Sequence, residues 1–158
     1  MSMKIKIIAL GKLKEKYIKD GCEEFIKRIT PYSPFEVVEI KPEQVYDENL
    51  VEKALDIEAD RILAAIKKDA YVITMEIGGK LLSSEELSEK IECLINTGIN
   101  ELVFVIGSSH GISPRVSARA DFKLSISKMT FLHEFARLIL IEQIYRGFKI
   151  IKKESYHK

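Results

Sequence analysis

The chain alternates short β-branched runs with longer stretches in which apolar residues recur every three or four positions. Lys4–Leu10 (KIKIIAL), stopped by Gly11, predicts a strand. From Leu13 to Ile29, apolar residues at Leu13, Tyr17, Ile18, Cys22, Phe25, Ile26 and Ile29 predict an amphipathic helix. Pro31 and Pro34 end it, and Phe35–Ile40 (FEVVEI) predicts a second strand. A loop over Lys41–Asn49 leads to a second amphipathic helix, Leu50–Lys68. Tyr71–Ile77 (YVITMEI) reads as a third strand, closed by Gly78-Gly79. Ser83 and Glu86 then form a capping box before a helix over Leu87–Thr97, which Gly98 terminates. Leu102–Ile106 predicts a fourth strand, Val116–Ala120 a short helix and Phe122–Ile126 a fifth strand. A last helix covers Leu132–Ile151, and the remainder, Lys152–Lys158, is a polar tail.

Strands alternating with helices predict an α/β fold with a mostly parallel sheet flanked by helices. No repeat, low-complexity tract or linker divides the 158 residues, so the expectation is a single domain over 1–158. Open α/β sheets bind ligands at the carboxyl ends of their strands. Two strands end abruptly there in small residues: the fourth at Gly107-Ser108-Ser109-His110-Gly111, the fifth at Ser127-Lys128-Met129-Thr130. Gly107 and Gly111 let a ligand approach the main chain, and the serine hydroxyls donate and accept. Such loops suit an adenosine moiety, whose edge needs paired donors and acceptors. The turn after the first strand, Leu10–Lys14, lacks the GxGxxG pattern, and no GxxxxGK[ST] occurs, so a nucleotide-like ligand is expected late in the chain.

Composition changes this picture little. The chain is 46% hydrophobic and 31% charged, with a net charge of +1, so no global field advertises nucleic acid. Charge is unevenly spread, however. Between Glu36 and Asp60 nine acids face only Lys41 and Lys53, a net of −7, whereas Tyr145–Lys158 carries five bases against Glu154, a net of +4. Lys12, Lys14, Lys16 and Lys19 line the outer face of the first helix. Cys22 and Cys93 are isolated, and the three histidines lack HxH or HExxH spacing, so neither a metal site nor a redox motif is expected. The first apolar run is too short for a signal or a span, which predicts a cytoplasmic protein with no membrane partner.

FVIGSSHG, SKMTFLHEFARLILIEQIYR and the terminal YHK, together with GKLKEKY and YVITMEIGGKLLSSEELSEKI, resemble the SPOUT-class methyltransferases. More narrowly they are similar to the ribosomal RNA large subunit methyltransferase H family, which methylates N3 of a pseudouridine in 23S rRNA. The likeness spans nearly the whole chain. One position departs from it: two adjacent glycines usually follow the fourth strand, and here the second is Ser108. The resemblance implies a SPOUT α/β knot with a carboxy-terminal trefoil, S-adenosylmethionine as cofactor and a homodimer. It places cofactor contacts at Met75, Gly107, Ile126, Ser127, Lys128, Met129, Thr130 and Phe131. It also gives the tail a role, so the catalytic candidates become Arg146, His133, Tyr156 and His157.

The chemistry fits those residue types. An imide nitrogen is a poor nucleophile while protonated, so a base or a nearby positive charge must help remove its proton. Arg146 cannot act as the base but can hold an anionic edge or a phosphate. A histidine can take the proton and a tyrosine can stack on the nucleobase. In a dimer the tail of one subunit can complete the partner's site. With so little net charge, the expected substrate is a preformed one, the assembled ribosome or its large subunit. Lys12, Lys14, Lys16, Arg146, Lys149, Lys152 and Lys153 would contact its phosphates. The competing readings are a ribosome-binding protein that keeps the cofactor pocket without catalysis, and a SPOUT enzyme acting on tRNA.

Overall fold

A computed structural model describes residues 3–157; the first two residues and Lys158, the last residue of the YHK signature, lie outside that range. Five strands and five helices alternate: β1 Lys4–Leu10, α1 Lys16–Ile29, β2 Phe35–Ile40, α2 Val51–Ala64, β3 Tyr71–Leu81, α3 Ser84–Asn96, β4 Glu101–Ile106, α4 Pro114–Arg119, β5 Phe122–Ser125 and α5 His133–Ile151. The strands form one sheet in the order β2-β1-β4-β3-β5. Each neighbouring pair is parallel, as the alternation of strands and helices requires.

Two apolar clusters sandwich the sheet. Alternate residues of β4 divide between them: Leu102, Phe104 and Ile106 face α1, α3 and α5, whereas Val103 and Val105 face α2 and α4. All six residues of β4 are buried, which is why the strand reads as an unbroken apolar run rather than an alternating one. On the first face α5 packs against both α1 and α3.

Several boundaries differ from the sequence expectations. Leu13–Glu15 lies outside the helix, and α1 begins only at Lys16, because another element holds the segment before it: Glu134 Oε1 accepts from the backbone N–H groups of Lys14 and Glu15 at 2.8 and 3.3 Å. A 3-10 turn over Glu48–Leu50, capped by Asp47, precedes α2, which stops at Ala64 rather than Lys68. The capping box at Ser83 and Glu86 forms as expected and starts α3 at Ser84. Pro114 occupies the first turn of α4 behind the Ser113 cap, so this helix opens two residues before Val116. β5 ends at Ser125, leaving Ile126 in the following loop.

The largest correction concerns β3, which Gly78-Gly79 does not close. The strand pairs with β5 through Met75, breaks register, then resumes at Lys80 and Leu81. Gly79 permits this, because a Cβ there would sit 2.7 Å from the carbonyl of Lys123. The glycine serves a close approach of two strands rather than a turn.

Glu134 ties α5 to the start of α1 and is itself buried. Burial opposes its charge, but the N–H donors of Lys14 and Glu15, helped by His133 and Arg137, hold its carboxyl below the usual carboxylate range. A depressed carboxylate stabilises the fold fully above the unfolded value of about 4.3 and loses that contribution as pH falls through the folded value. Glu134→Ala should therefore cost roughly 1.5–3 kcal/mol at neutral pH. In urea melts across pH, the gap between wild type and variant should close as pH drops below about 4. A gap independent of pH would refute this account.

Candidate active site

β4 and β5 end at one edge of the sheet, and the segments that follow them, with the irregular stretch of β3 beside them, enclose a cavity of about 780 Å³. That lies within the range of small-molecule and cofactor pockets. Met75–Gly78 forms one wall, Gly107–Ile112 a second and Ser125–Leu132 a third, while His133 and Ala136 close it from the first turn of α5. Of the residues expected to meet a cofactor, Met75, Gly107, Ile126, Ser127, Met129, Thr130 and Phe131 line this cavity; Lys128 does not.

Local hydrogen bonds set the shape of both loops. Gly111 N–H donates to the Ser108 carbonyl at 2.9 Å, and Gly111 takes a φ of +91°, which glycine tolerates. Gly107 is required for space: a Cβ there would fall 2.5 Å from the Gly111 carbonyl oxygen. Ser108 stands where the family resemblance leads to the expectation of a second glycine, yet its φ is not positive, so the serine introduces no backbone strain. Its hydroxyl accepts from His110 N–H at 3.2 Å. In the other loop Ser127 Oγ accepts from Met129 N–H at 3.0 Å, and Ser125 Oγ donates to the Ser127 carbonyl at 2.9 Å.

The charges in the cavity are few. Among the described lining residues, Glu76 is the one carboxylate, His110 and His133 are the imidazoles, and no lysine or arginine occurs. Glu76 Oε2 accepts from Thr74 Oγ1 at 2.6 Å, and Ser117 Oγ reaches both carboxylate oxygens at 3.1 and 2.9 Å. A pyrophosphate would find no cationic side chain here, whereas a nucleoside carrying positive charge is compatible with the lining. S-adenosylmethionine fits that description.

A second cluster lies at the far end of α5. Arg146 Nη2 donates to Glu142 Oε2 at 2.8 Å, and Tyr156 Oη donates to the same oxygen at 2.9 Å. The Arg146 guanidinium also lies 4.8 Å from the centre of the Tyr156 ring, which meets Tyr145 edge-on. His157 Nδ1 is 3.1 Å from Arg146 Nη1, and its Nε2 is 3.0 Å from Glu85 Oε1. Arginine only donates, so Nδ1 is the acceptor and Nε2 carries the proton toward Glu85. Burial, then the bond to Glu142, pushes the Tyr156 phenol above its ordinary value, which makes it a donor rather than a base.

Arg146, Tyr156 and His157 are thus brought together, and His133 is not among them. Of the two carboxylates that organise the cluster, Glu142 is expected from sequence as the ion-pair partner of Arg146 and forms that pair, whereas Glu85 is not foreseen. The i, i+4 spacing of Glu142 and Arg146 was visible, but nothing local reveals that Glu142 also binds the tail or that α3 supplies Glu85. Lys149 is largely covered over the rings of Tyr32 and Tyr145 and lies beside Glu154, whereas Lys16, in an exposed pair with Asp20, stays open to solvent. Cys22 is buried, which pushes its thiol up to about 11 and leaves it inert as a nucleophile. Among the described residues no cluster of His, Cys, Asp or Glu could hold a metal ion, and no helix is long and apolar enough to cross a membrane.

The family model described as "Predicted SPOUT methyltransferase" matches residues 3–157. The chain belongs to the SPOUT methyltransferase family. Within it, the chain is 49% identical over 159 residues to the "Putative ribosomal RNA large subunit methyltransferase H" of Methanococcus maripaludis, covering 99% of this chain and 100% of that relative. This likeness places it in the ribosomal RNA large subunit methyltransferase H family. A solved structure titled "The structure of a probable methylase family protein from Haemophilus influenzae Rd KW20" shares the fold, with a TM-score of 0.57 at 14% identity over 96% of this chain and 67% of that one.

The docked tail has a direct test. Glu142→Ala should expose the backbone at Ser155–His157 to hydrogen exchange while leaving protection in β1 and β4 unchanged. Unaltered exchange in the tail would show that Glu142 does not hold it.

Proposed function

We propose that this SPOUT protein transfers a methyl group from S-adenosylmethionine to N3 of a pseudouridine in 23S rRNA, acting on the assembled ribosome in the cytoplasm. In this reading it is a single SPOUT domain, closed by a carboxy-terminal trefoil knot and working as a homodimer. The cavity at the carboxyl edge of the sheet carries the proposal: it is nucleoside-sized, built by the glycine- and serine-rich loop after β4 and the serine-containing loop after β5, and free of cationic side chains among its described residues. The substrate comes from the relative named as a large-subunit rRNA methyltransferase. The tight passages of Gly79 along β5 and of Gly107 against Gly111 are compatible with a knot at this edge.

The dimer follows from a distance. Arg146 lies thirteen residues beyond His133 on α5, which at 1.5 Å per residue puts it about 20 Å from the cavity wall. Tyr156 and His157 stay at that distant end, held by Glu142 and Glu85. In a single chain the cluster is therefore remote from its own cofactor cavity. A partner's cluster closes the gap if the interface runs through the apolar surface beside the cavity, where Met129, Leu132, Phe131, Phe135 and Tyr17 are exposed.

When bound, S-adenosylmethionine supplies an electrophilic methyl group on its sulfonium. Loops 107–112 and 126–131 would hold the adenosine through backbone groups, with Met75 against its face. From the partner, Arg146 would hold the imide edge as it becomes anionic, and Tyr156 would stack on the base while its hydroxyl stays on Glu142. His157 Nδ1 accepts from Arg146 in the docked tail. Once the guanidinium turns to the substrate, that nitrogen is free to take the N3 proton. His133, on the cavity wall, orients the ligand rather than moving this proton.

Transfer of labelled methyl to ribosomes lacking the modification, but not to modified ribosomes or free rRNA, is the expected outcome, with label in a pseudouridine-bearing nucleotide. Cofactor binding without transfer to any of these would favour a non-catalytic ribosome-binding role, and transfer to tRNA would favour a different SPOUT activity. Subunit mixing tests the composite site. Gly107→Ala and Arg146→Ala homodimers should each be inactive, and their mixture should recover about a quarter of wild-type activity, because half of the randomly paired dimers hold one intact site. No recovery, with heterodimers demonstrated, would refute the shared site.

A further inference from the structure

We propose that Glu76 makes this cavity select the sulfonium cofactor over the thioether product that remains after methyl transfer. The inference rests on the assignment of S-adenosylmethionine to the cavity and concerns a residue that the assignment does not need. Glu76 stands at the point where β3 leaves its register with β5, on the cavity wall. Its carboxylate is anchored from two sides, by Thr74 on its own strand and by Ser117 on α4. Neither anchor carries charge, and Glu76 forms no ion pair among the described residues. The negative charge is therefore fixed in place and left unneutralised.

S-adenosylmethionine and S-adenosylhomocysteine share the adenosine, the ammonium and the carboxylate. They differ by the methyl group and by one formal charge: the sulfonium leaves the cofactor with a net positive charge, whereas the thioether product has none. Hydrogen bonds to the common parts cancel in a comparison of the two, and the response to a fixed anion does not. At an effective dielectric near 20, a unit charge within roughly 10 Å of another changes binding by about tenfold. With no lysine or arginine among the described lining residues, no side chain of the cavity's own chain offsets that preference. A cavity that holds the charged cofactor and releases the uncharged product also limits product inhibition.

The competing account is that Glu76 only staples β3 to α4. The two are separated by titration calorimetry with both ligands on wild type, Glu76→Gln and Glu76→Asp. Glutamine keeps an acceptor for Thr74 and Ser117 but removes the charge, and aspartate keeps the charge. Wild type should bind the cofactor more tightly than the product. Glu76→Gln should weaken the cofactor about tenfold and the product less than twofold, while Glu76→Asp should retain most of the wild-type ratio. Equal weakening of both ligands would mean that Glu76 meets a shared group, and an unchanged ratio would leave only the staple; either overturns the inference. Equal affinity of wild type for the two ligands overturns it as well, whether or not the glutamine variant folds. If wild type bound neither ligand, the cofactor assignment itself would fall and this inference with it.

Discussion

The candidate site depends on β4 being buried on both faces. Leu102, Phe104 and Ile106 are locked among α1, α3 and α5, while Val103 and Val105 are locked against α2 and α4, so the strand cannot slide or tilt. The chain therefore emerges at Gly107 from a fixed point and must turn at once. It does so in a space where a single Cβ would collide with the Gly111 carbonyl. β3 is pinned beside it by parallel register, and β5 beside β3. The cavity follows from β4 and β5 stopping beside the stretch of β3, Met75–Gly78, that has left its register with β5.

α5 transmits that fixed geometry in two directions. Its first turn closes the cavity through His133 and Ala136, and Glu134 in the same turn caps the approach to α1. Farther along, the helix carries Glu142 and then Arg146, to which the tail is bound. One rigid element thus sets the separation between cavity and cluster. That separation, rather than either group alone, is what makes a second copy of the chain necessary for the proposed chemistry.

Local pattern made most of the fold legible. β-branched runs predicted all five strands, and periodicity predicted the helices, because burial on one or two faces leaves its mark on neighbouring residues. The failures came where a distant partner decides. α1 starts late because Glu134, more than a hundred residues away, takes the amides of Lys14 and Glu15 just before it. β3 runs through Gly78-Gly79 because β5 needs close backbone approach there, and a glycine pair looks the same in a turn as in a tight crossing. The cavity walls were legible for a simple reason, since loops of glycine and serine at strand ends lie where α/β sheets bind ligands. Lys128, which the family resemblance places with these loop residues, is the one of them that does not line the cavity. Glu76, Glu85 and Glu142 were invisible as site residues, because a carboxylate among many acquires meaning only from the groups folded against it.

The two clusters also divide the electrostatic work. The cavity holds a lone carboxylate and no lysine or arginine among its described lining residues, while the cluster at the end of α5 presents a guanidinium whose charge is only partly answered by Glu142. A cationic cofactor suits the first surroundings, and an imide that becomes anionic as it loses its proton suits the second. Placing both charges in one chain's cavity would let Glu76 and Arg146 pair with each other and cancel. Glu76 on β3 and Arg146 toward the far end of α5 stay apart within one chain. In the proposed dimer they would meet only across the bound substrate, so the distance along α5 is what keeps the two charges from pairing.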